Sequence, residues 1–376
     1  MAGVHVINTY EVLGTRAPIP CDISRAHGVA MAAMVPGTTL TPLPFRHPEL
    51  LGHELRIRVT HSGMCHTDPN TTDCKWFDAG YFPCVPGHEI VGVVEKKGES
   101  VENFRIGQKV GFGCFRDCCR NCADCDVCRE GDDNICPGRI LTYSPHFGGF
   151  ATSFQAPAKW FHKLADEFPG TSAPLFCAGA TVFEPLKLYT KPTSRVGVIG
   201  IGGLGHLGIQ FAAKMGLDVT ALSTSDSKKD EALGFGATHF VNMNKEEDWN
   251  SVQRKFDLVL ITSSVYSISK CCDLLRPKGA LSLIGIPDKG FDADLSIAKL
   301  CMNSLSLHSN ASASSSRTRE MVDFATLHNI APMTETYAFA DAQLAFDSLA
   351  HGRPHAPRYR NVLETESFFQ TFTPAQ

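Results

Sequence analysis

Residues 195–229, RVGVIGIGGLGHLGIQFAAKMGLDVTALSTSDSKK, decide the fold. The run RVGVIG is short and apolar, as in a strand buried on both faces, and a helix-length segment, GLGHLGIQFAAKMG, follows and closes at Gly216. DVTALST is a second strand. The pattern then repeats: a helix from SKKDEALGFGA, strands HFVN and FDLVLITS, a helix ending before Pro277, and strands ALSLIGIP and LSLHS. Six strands with intervening helices predict a doubly wound parallel sheet, a Rossmann domain.

Gly200, Gly202 and Gly205 stand between the first strand and its helix, the context in which GxGxxG has physical meaning. Glycines allow a tight turn and close backbone approach, while the helix N-terminus offers unpaired amides and a positive dipole end to a pyrophosphate. Gly203, Leu204 and Thr181 complete this group of cofactor-binding candidates. The end of the second strand then selects the cofactor. NAD binding calls for a carboxylate on the ribose hydroxyls, which would repel a 2′-phosphate. Here Ser223, Thr224 and Ser225 supply hydroxyls and Lys228 or Lys229 a cation, which favours NADP(H), with Asp226 read as a cap of the next helix.

Upstream, ELRIRVTHSG (54–63), EIVGVVEKKG and QKVGFG are short β-rich runs punctuated by glycine. After residue 313, TREMVDFATLHN and DAQLAFDSLAHG have amphipathic helical spacing and YRNVLE is a last strand. The expected class is α/β: an irregular β-rich catalytic domain at 1–179, the Rossmann domain at 180–312, and a return to a discontinuous catalytic domain at 313–376. With 376 residues, 43% hydrophobic, a net charge of −4 and no apolar run of bilayer length, the chain reads as a cytosolic globular protein that binds neither nucleic acid nor membrane. No secretory signal is legible at the N-terminus.

Of fifteen cysteines the dense group is confined to one segment of a large chain, which favours metal ligation over a disulfide framework. CCRNCADCDVCREGDDNIC (118–136) holds six of them, in a lobe at about 114–137. Elsewhere Cys65, His88 and Cys177 lie far apart beside glycine or proline, as ligands on separate loops do. Together they would give zinc two thiolates and an imidazole, a catalytic-type set with a fourth position for Glu89, water or substrate.

SGMCHTD, VPGHEIVGVV, the cysteine cluster, LFCAGATVFEPL, GIGGLGHLGIQFAAKMG and STSDSKK, in this order, resemble the zinc-dependent medium-chain dehydrogenases, in particular the cinnamyl-alcohol-dehydrogenase-like branch, over residues 26–363. The resemblance implies a catalytic zinc on Cys65, His88 and Cys177 with Glu89 able to close the resting site. It also implies a substrate hydrogen bond from Thr67 and an orienting carboxylate at Asp68. It implies a four-thiolate structural zinc, for which the seven-residue final loop selects Cys122, Cys125, Cys128 and Cys136, with Cys119 as the spare. Reading forward from DCCRNC favours Cys119, Cys122 and Cys125 instead.

Three departures stand out. Asn70 occupies the place of the family's proton-relay histidine and cannot titrate near neutrality, so a relay must run through water, Thr71 or a cofactor hydroxyl. Leu141 replaces a large pocket aromatic, and Ser309 and Asn310 replace an apolar pair, which implies a wider and more polar pocket with Trp76, Phe77 and Cys114 as further wall candidates. The leading expectation is an NADP(H)-dependent zinc alcohol dehydrogenase working as an aldehyde reductase on a small-molecule substrate, assembled as a homodimer through its last two nucleotide-domain strands. The alternatives are a zinc-free quinone or enone reductase, and a non-catalytic zinc-lobe interaction protein or thiol sensor.

Overall fold

The computed structural model describes residues 5–76, 79–119, 125–264, 266–287, 294–351 and 359–369. Two compact units emerge, residues 1–177 with 333–376, and residues 178–332.

The first unit is organised by the strand Glu54–Met64, which pairs antiparallel with Ile90–Lys97, Ser153–Pro157 and Arg360–Glu364 in a seven-stranded sheet. Both ends of this strand enter apolar cores. Leu55, Ile57 and Val59 are fully buried with Phe112, Phe154 and Phe161, and Met64 lies with Phe45, Phe150 and Leu363. Burying each of these large side chains contributes roughly 1.5–3 kcal/mol, which makes the sheet a rigid mount. Its register brings ligand-bearing loops together: Ser62 faces Ile90, so Cys65 leaves one strand beside the point where His88 and Glu89 enter the next. Asn361 faces Met64, which brings Arg360 to the same edge. The 3-10 segment Gly170–Phe176 leads directly into Cys177.

In the second unit six parallel strands run in the order His239–Asn242, Asp218–Ser223, Arg195–Ile199, Phe256–Ile261, Leu275–Leu283, Ser306–His308. This is the 3-2-1-4-5-6 order of a doubly wound dinucleotide fold. The helix expected after the glycine turn is Gly205–Lys214. The strand written as ALSLIGIP begins earlier, at Leu275, and accommodates Pro277 near its start.

One boundary differs from the sequence expectation. The helix Ser315–His328, assigned above to the returning catalytic segment, falls in the nucleotide unit. Phe324 packs against Phe183 at 5.8 Å and Phe211 at 6.1 Å, and Arg317 Nε lies 2.8 Å from Glu184. These partners are distant in sequence, so helical periodicity alone could not say which core the helix would cover. Among the described residues no helix is long and apolar enough to cross a membrane.

Gly111, on the strand Lys109–Phe112, leaves room for the ring of Phe176, the residue that carries Cys177. A Cβ at Gly111 would collide with that fully buried ring. Gly111→Ala is therefore expected to cost about 1–3 kcal/mol, read as a lowered urea midpoint with an unchanged slope.

Candidate active site

Asp68 opens the short helix Thr67–Thr72 immediately after Cys65 and is fully buried. Its carboxylate accepts from Cys65 N at 2.8 Å, Gly87 N at 3.0 Å and His88 Nδ1 at 3.2 Å. One side chain thus ties together two loops separated by twenty residues of chain. Burial alone would depress His88, but Asp68 overrides it and holds the Nδ1 proton, which leaves Nε2 as the free ligand atom.

Ligand atoms of Cys65, His88, Glu89 and Cys177 all lie within 4.8 Å of one another. Cys177 hydrogen-bonds the Cys65 thiol and holds it well below the usual range, helped against burial by His88 and Arg360. Cys177 is pushed up by Cys114 and Cys65, as expected of thiols sharing one proton. Burial pushes the Glu89 carboxyl up to about 8, with Arg360 opposing. Arg360 Nη1 donates to Glu89 Oε1 and to Met64 O, each at 3.4 Å. Two sulfurs, an imidazole and a carboxylate at this spacing suit a zinc ion with one exchangeable position. Thr67 Oγ1 lies 3.4 Å from Cys65 Sγ, at the edge of the group.

Two participants were not legible as site residues. Arg360 belongs to YRNVLE, where a charge inside an otherwise buried strand was the available signal. Tyr143 is buried, with its ring 5.4 Å from that of His88 and its hydroxyl 3.2 Å from Thr71 Oγ1. Asn70 follows on the same helix and is half-buried. Of the expected pocket residues, Cys114 sits beside Cys177, Leu141 is 37% exposed, and Trp76 Nε1 is buried with no acceptor among the described residues. Phe77 lies outside the described residues.

In the cysteine lobe, the described thiols that converge are Cys119, Cys125, Cys128 and Cys136. Cys119 and Cys128 are 3.4 Å apart and Cys125 and Cys136 3.9 Å. Cys119, expected as the spare and alternate ligand, stands inside this group, while Cys122 of the expected set lies outside the described residues. The short helix Asp126–Glu130, closed by Gly131 in the left-handed region, carries Cys128 between Cys125 and Cys136. Burial, then Cys119, Cys136 and Cys125, push the Cys128 thiol up. Thiols this crowded cannot ionise together without a cation, and four of them leave no open position for chemistry.

In the nucleotide unit Gly200 has φ +89° and a Cβ at Gly205 would strike Gly200 O, so both positions exclude side chains. Gly202 faces open space, and Gly203 and Leu204 complete the turn into the helix. Thr181 is buried on the helix Ala178–Tyr189, and its carbonyl accepts from Asn310 Nδ2 at 3.0 Å. Ser309 Oγ donates to Leu283 O at 2.6 Å. Ser223, Thr224 and Ser225 end the second strand and enter the turn, and Lys228 Nζ donates to Ile201 O at 2.6 Å. Asp226 is engaged elsewhere: Lys245 Nζ lies 2.8 Å from it and Asn242 Nδ2 3.0 Å, which hold its carboxyl below the usual range.

Residues 52–166 match the alcohol dehydrogenase GroES-like domain and residues 203–326 match the zinc-binding dehydrogenase domain. Alcohol dehydrogenase 9 of Catharanthus roseus is 37% identical over 346 residues, covering 89% of this chain and 93% of its own. A solved cinnamyl alcohol dehydrogenase from Sorghum bicolor (L.) Moench has a TM-score of 0.83 at 30% identity, over 90% of this chain and 97% of its own. CAD from Helicobacter pylori, complexed with NADP(H), has a TM-score of 0.81 at 29% identity, over 90% of this chain and 98% of its own.

Because Asp68 accepts three N–H groups in a dry setting, Asp68→Asn turns an amide against donors. A loss of roughly 2–3 kcal/mol is expected, measured by denaturant unfolding in chelator so that metal affinity does not enter.

Proposed function

The chain belongs to the zinc-binding dehydrogenase family of medium-chain alcohol dehydrogenases, and from that membership we propose that it is an NADP(H)-dependent aldehyde reductase holding a catalytic and a structural zinc. The observation that carries the reading is the convergence of Cys65, His88, Glu89 and Cys177 around one point with Asp68 behind the imidazole. Cys65, His88 and Cys177 would hold the catalytic ion, with Glu89 as an alternate ligand. Cys119, Cys125, Cys128 and Cys136 are the described ligands for the structural one. When bound, the zinc supplies a Lewis acid for a carbonyl oxygen and NADPH supplies the hydride.

The chain's own residues do the positioning and the proton handling. Asp68 fixes the His88 tautomer, and Arg360 keeps a compensating charge beside Glu89 and the thiols. Thr67 offers its hydroxyl to the substrate oxygen. Beyond it Asn70 cannot carry a proton, so the route to solvent falls to hydroxyls, of which Thr71 and Tyr143 are already in contact. Burial holds the Tyr143 phenol well above its usual range, so it passes a proton only by donating and accepting as a neutral group. NADP(H) is favoured because Asp226 is neutralised by Lys245, while Ser223, Thr224 and Ser225 offer hydroxyls at the end of the strand and Lys228, held on Ile201 O, adds a positive charge nearby for a 2′-phosphate.

The deciding experiment is NADPH and NADH oxidation against aliphatic, aromatic and cinnamyl aldehydes, on protein of determined zinc content. NADPH-dependent turnover with two zinc ions per chain is expected, and turnover that persists in Cys177→Ser would reject the assigned centre. Asn70→His adds a donor with a pKa of about 6.5, protonated below that value, so reduction by the variant should gain a step that declines as pH rises through it. Wild type should lack that step. The homodimer is proposed from the open edge of Ser306–His308, with sedimentation at about twice 40.9 kDa as its check.

A further inference from the structure

The catalytic unit contains a polar cavity of about 270 Å³ that none of the zinc-ligand candidates lines. Its charged and titratable walls are Arg16, His47, Glu54, Arg116, Asp117 and His146. Glu54 is fully engaged: it pairs with Arg16 at 2.6 Å and accepts from Leu51 N at 3.0 Å and Gln155 Nε2 at 2.9 Å. Asp117 Oδ1 accepts from Cys118 N at 2.9 Å.

Arg116 is the exception. It is 8% exposed, yet among the described residues its guanidinium makes one hydrogen bond, from Nη2 to Gln155 O at 2.9 Å, and no ion pair. Its remaining contact is the face of Phe154, 5.7 Å from the ring centre. A guanidinium has five N–H donors, and leaving most of them unmet in a buried setting is costly. Burial pulls its pKa down to about 10 against the pull of Glu54 and Asp117. His146 has no hydrogen-bond partner among the described residues, and burial with Arg116 and Arg16 pushes it down to about 2. His47 is depressed by burial and by Arg56, His27 and Arg116, while its Nε2 lies 2.8 Å from Ser153 Oγ. The Arg116 guanidinium and the His146 ring thus present unmet N–H donors to a cavity whose carboxylates, Glu54 and Asp117, are already engaged, so the donors remain for an added anion. Ser153 and Gln155 are the remaining polar walls, and Val12, Leu13, Ile140 and Phe147 are among the apolar ones.

We propose that this cavity is a non-catalytic binding site for a small organic acid, with its carboxylate on Arg116 and His146 and its hydrocarbon part against Val12, Leu13, Ile140 and Phe147. A planar carboxylate matches the guanidinium fork, and a neutral imidazole still offers one N–H. A bare phosphate would satisfy the charge and leave the apolar walls unfilled, so the mixed lining selects the organic acid.

Isothermal titration of the full-length, zinc-loaded protein with hexanoate, its neutral analogue hexanamide and inorganic phosphate tests the assignment. Hexanoate should bind at least tenfold more tightly than either of the others, and Arg116→Gln should weaken it at least tenfold. Should Arg116→Gln fail to fold, Ile140→Trp, which fills the apolar half and leaves the charges in place, should produce a comparable loss. Equal affinity for hexanoate and hexanamide overturns the charge argument. Phosphate binding as strongly as hexanoate overturns the organic-acid assignment. Hexanoate binding unaltered by either substitution places the ligand elsewhere and overturns the site.

Discussion

The rest of the candidate active site depends on the buried carboxylate of Asp68. It accepts N–H groups from two loops and one imidazole, so the positions of Cys65 and His88 are coupled through one group. Removed from water, such charge-assisted hydrogen bonds are short of competitors and hold their geometry. A ligand set held in this way can receive a metal without reorganising.

A second charge stands behind the first. Arg360, 6% exposed, lies against Glu89 and the Cys65 backbone strand, where two thiols and two carboxylates would otherwise accumulate negative charge. An unpaired cation there would be as costly as the unpaired anions, and the pair persists because each offsets the other. Arg116, in the polar cavity of the same unit, is similarly buried, but among the described residues Glu54 and Asp117 act on it without a direct ion pair. The contrast between the two arginines distinguishes a completed charge network from one that leaves room for a ligand.

The cysteine lobe uses a different principle. There the chain is short and irregular, and its geometry comes from a single helical turn ended by Gly131 at φ +90°. Cys136 is part of a buried apolar cluster with Phe115, Phe154 and Trp160, and Cys119, Cys125 and Cys128 pack against that cluster. A metal would add to that packing by letting the crowded thiols ionise together.

Local pattern alone was enough for the parallel sheet of the nucleotide unit, though not for the unit's C-terminal boundary. Strand runs near two-residue or fully apolar periodicity, glycines at 200, 202 and 205, and turns at strand ends are short-range signals, and the parallel order follows from few physical alternatives. Cys65, His88 and Cys177 were legible as residue types, and motif resemblance grouped them. What the sequence could not determine was anything requiring distant segments to meet. The seating of helix 315–328 on Phe183 and Phe211, the inclusion of Cys119 in the thiol group, and the approach of Arg360 and Tyr143 to the His88 region are tertiary decisions. Each was settled by which buried surface or buried charge a long-range partner could satisfy, and periodicity carries no record of that partner.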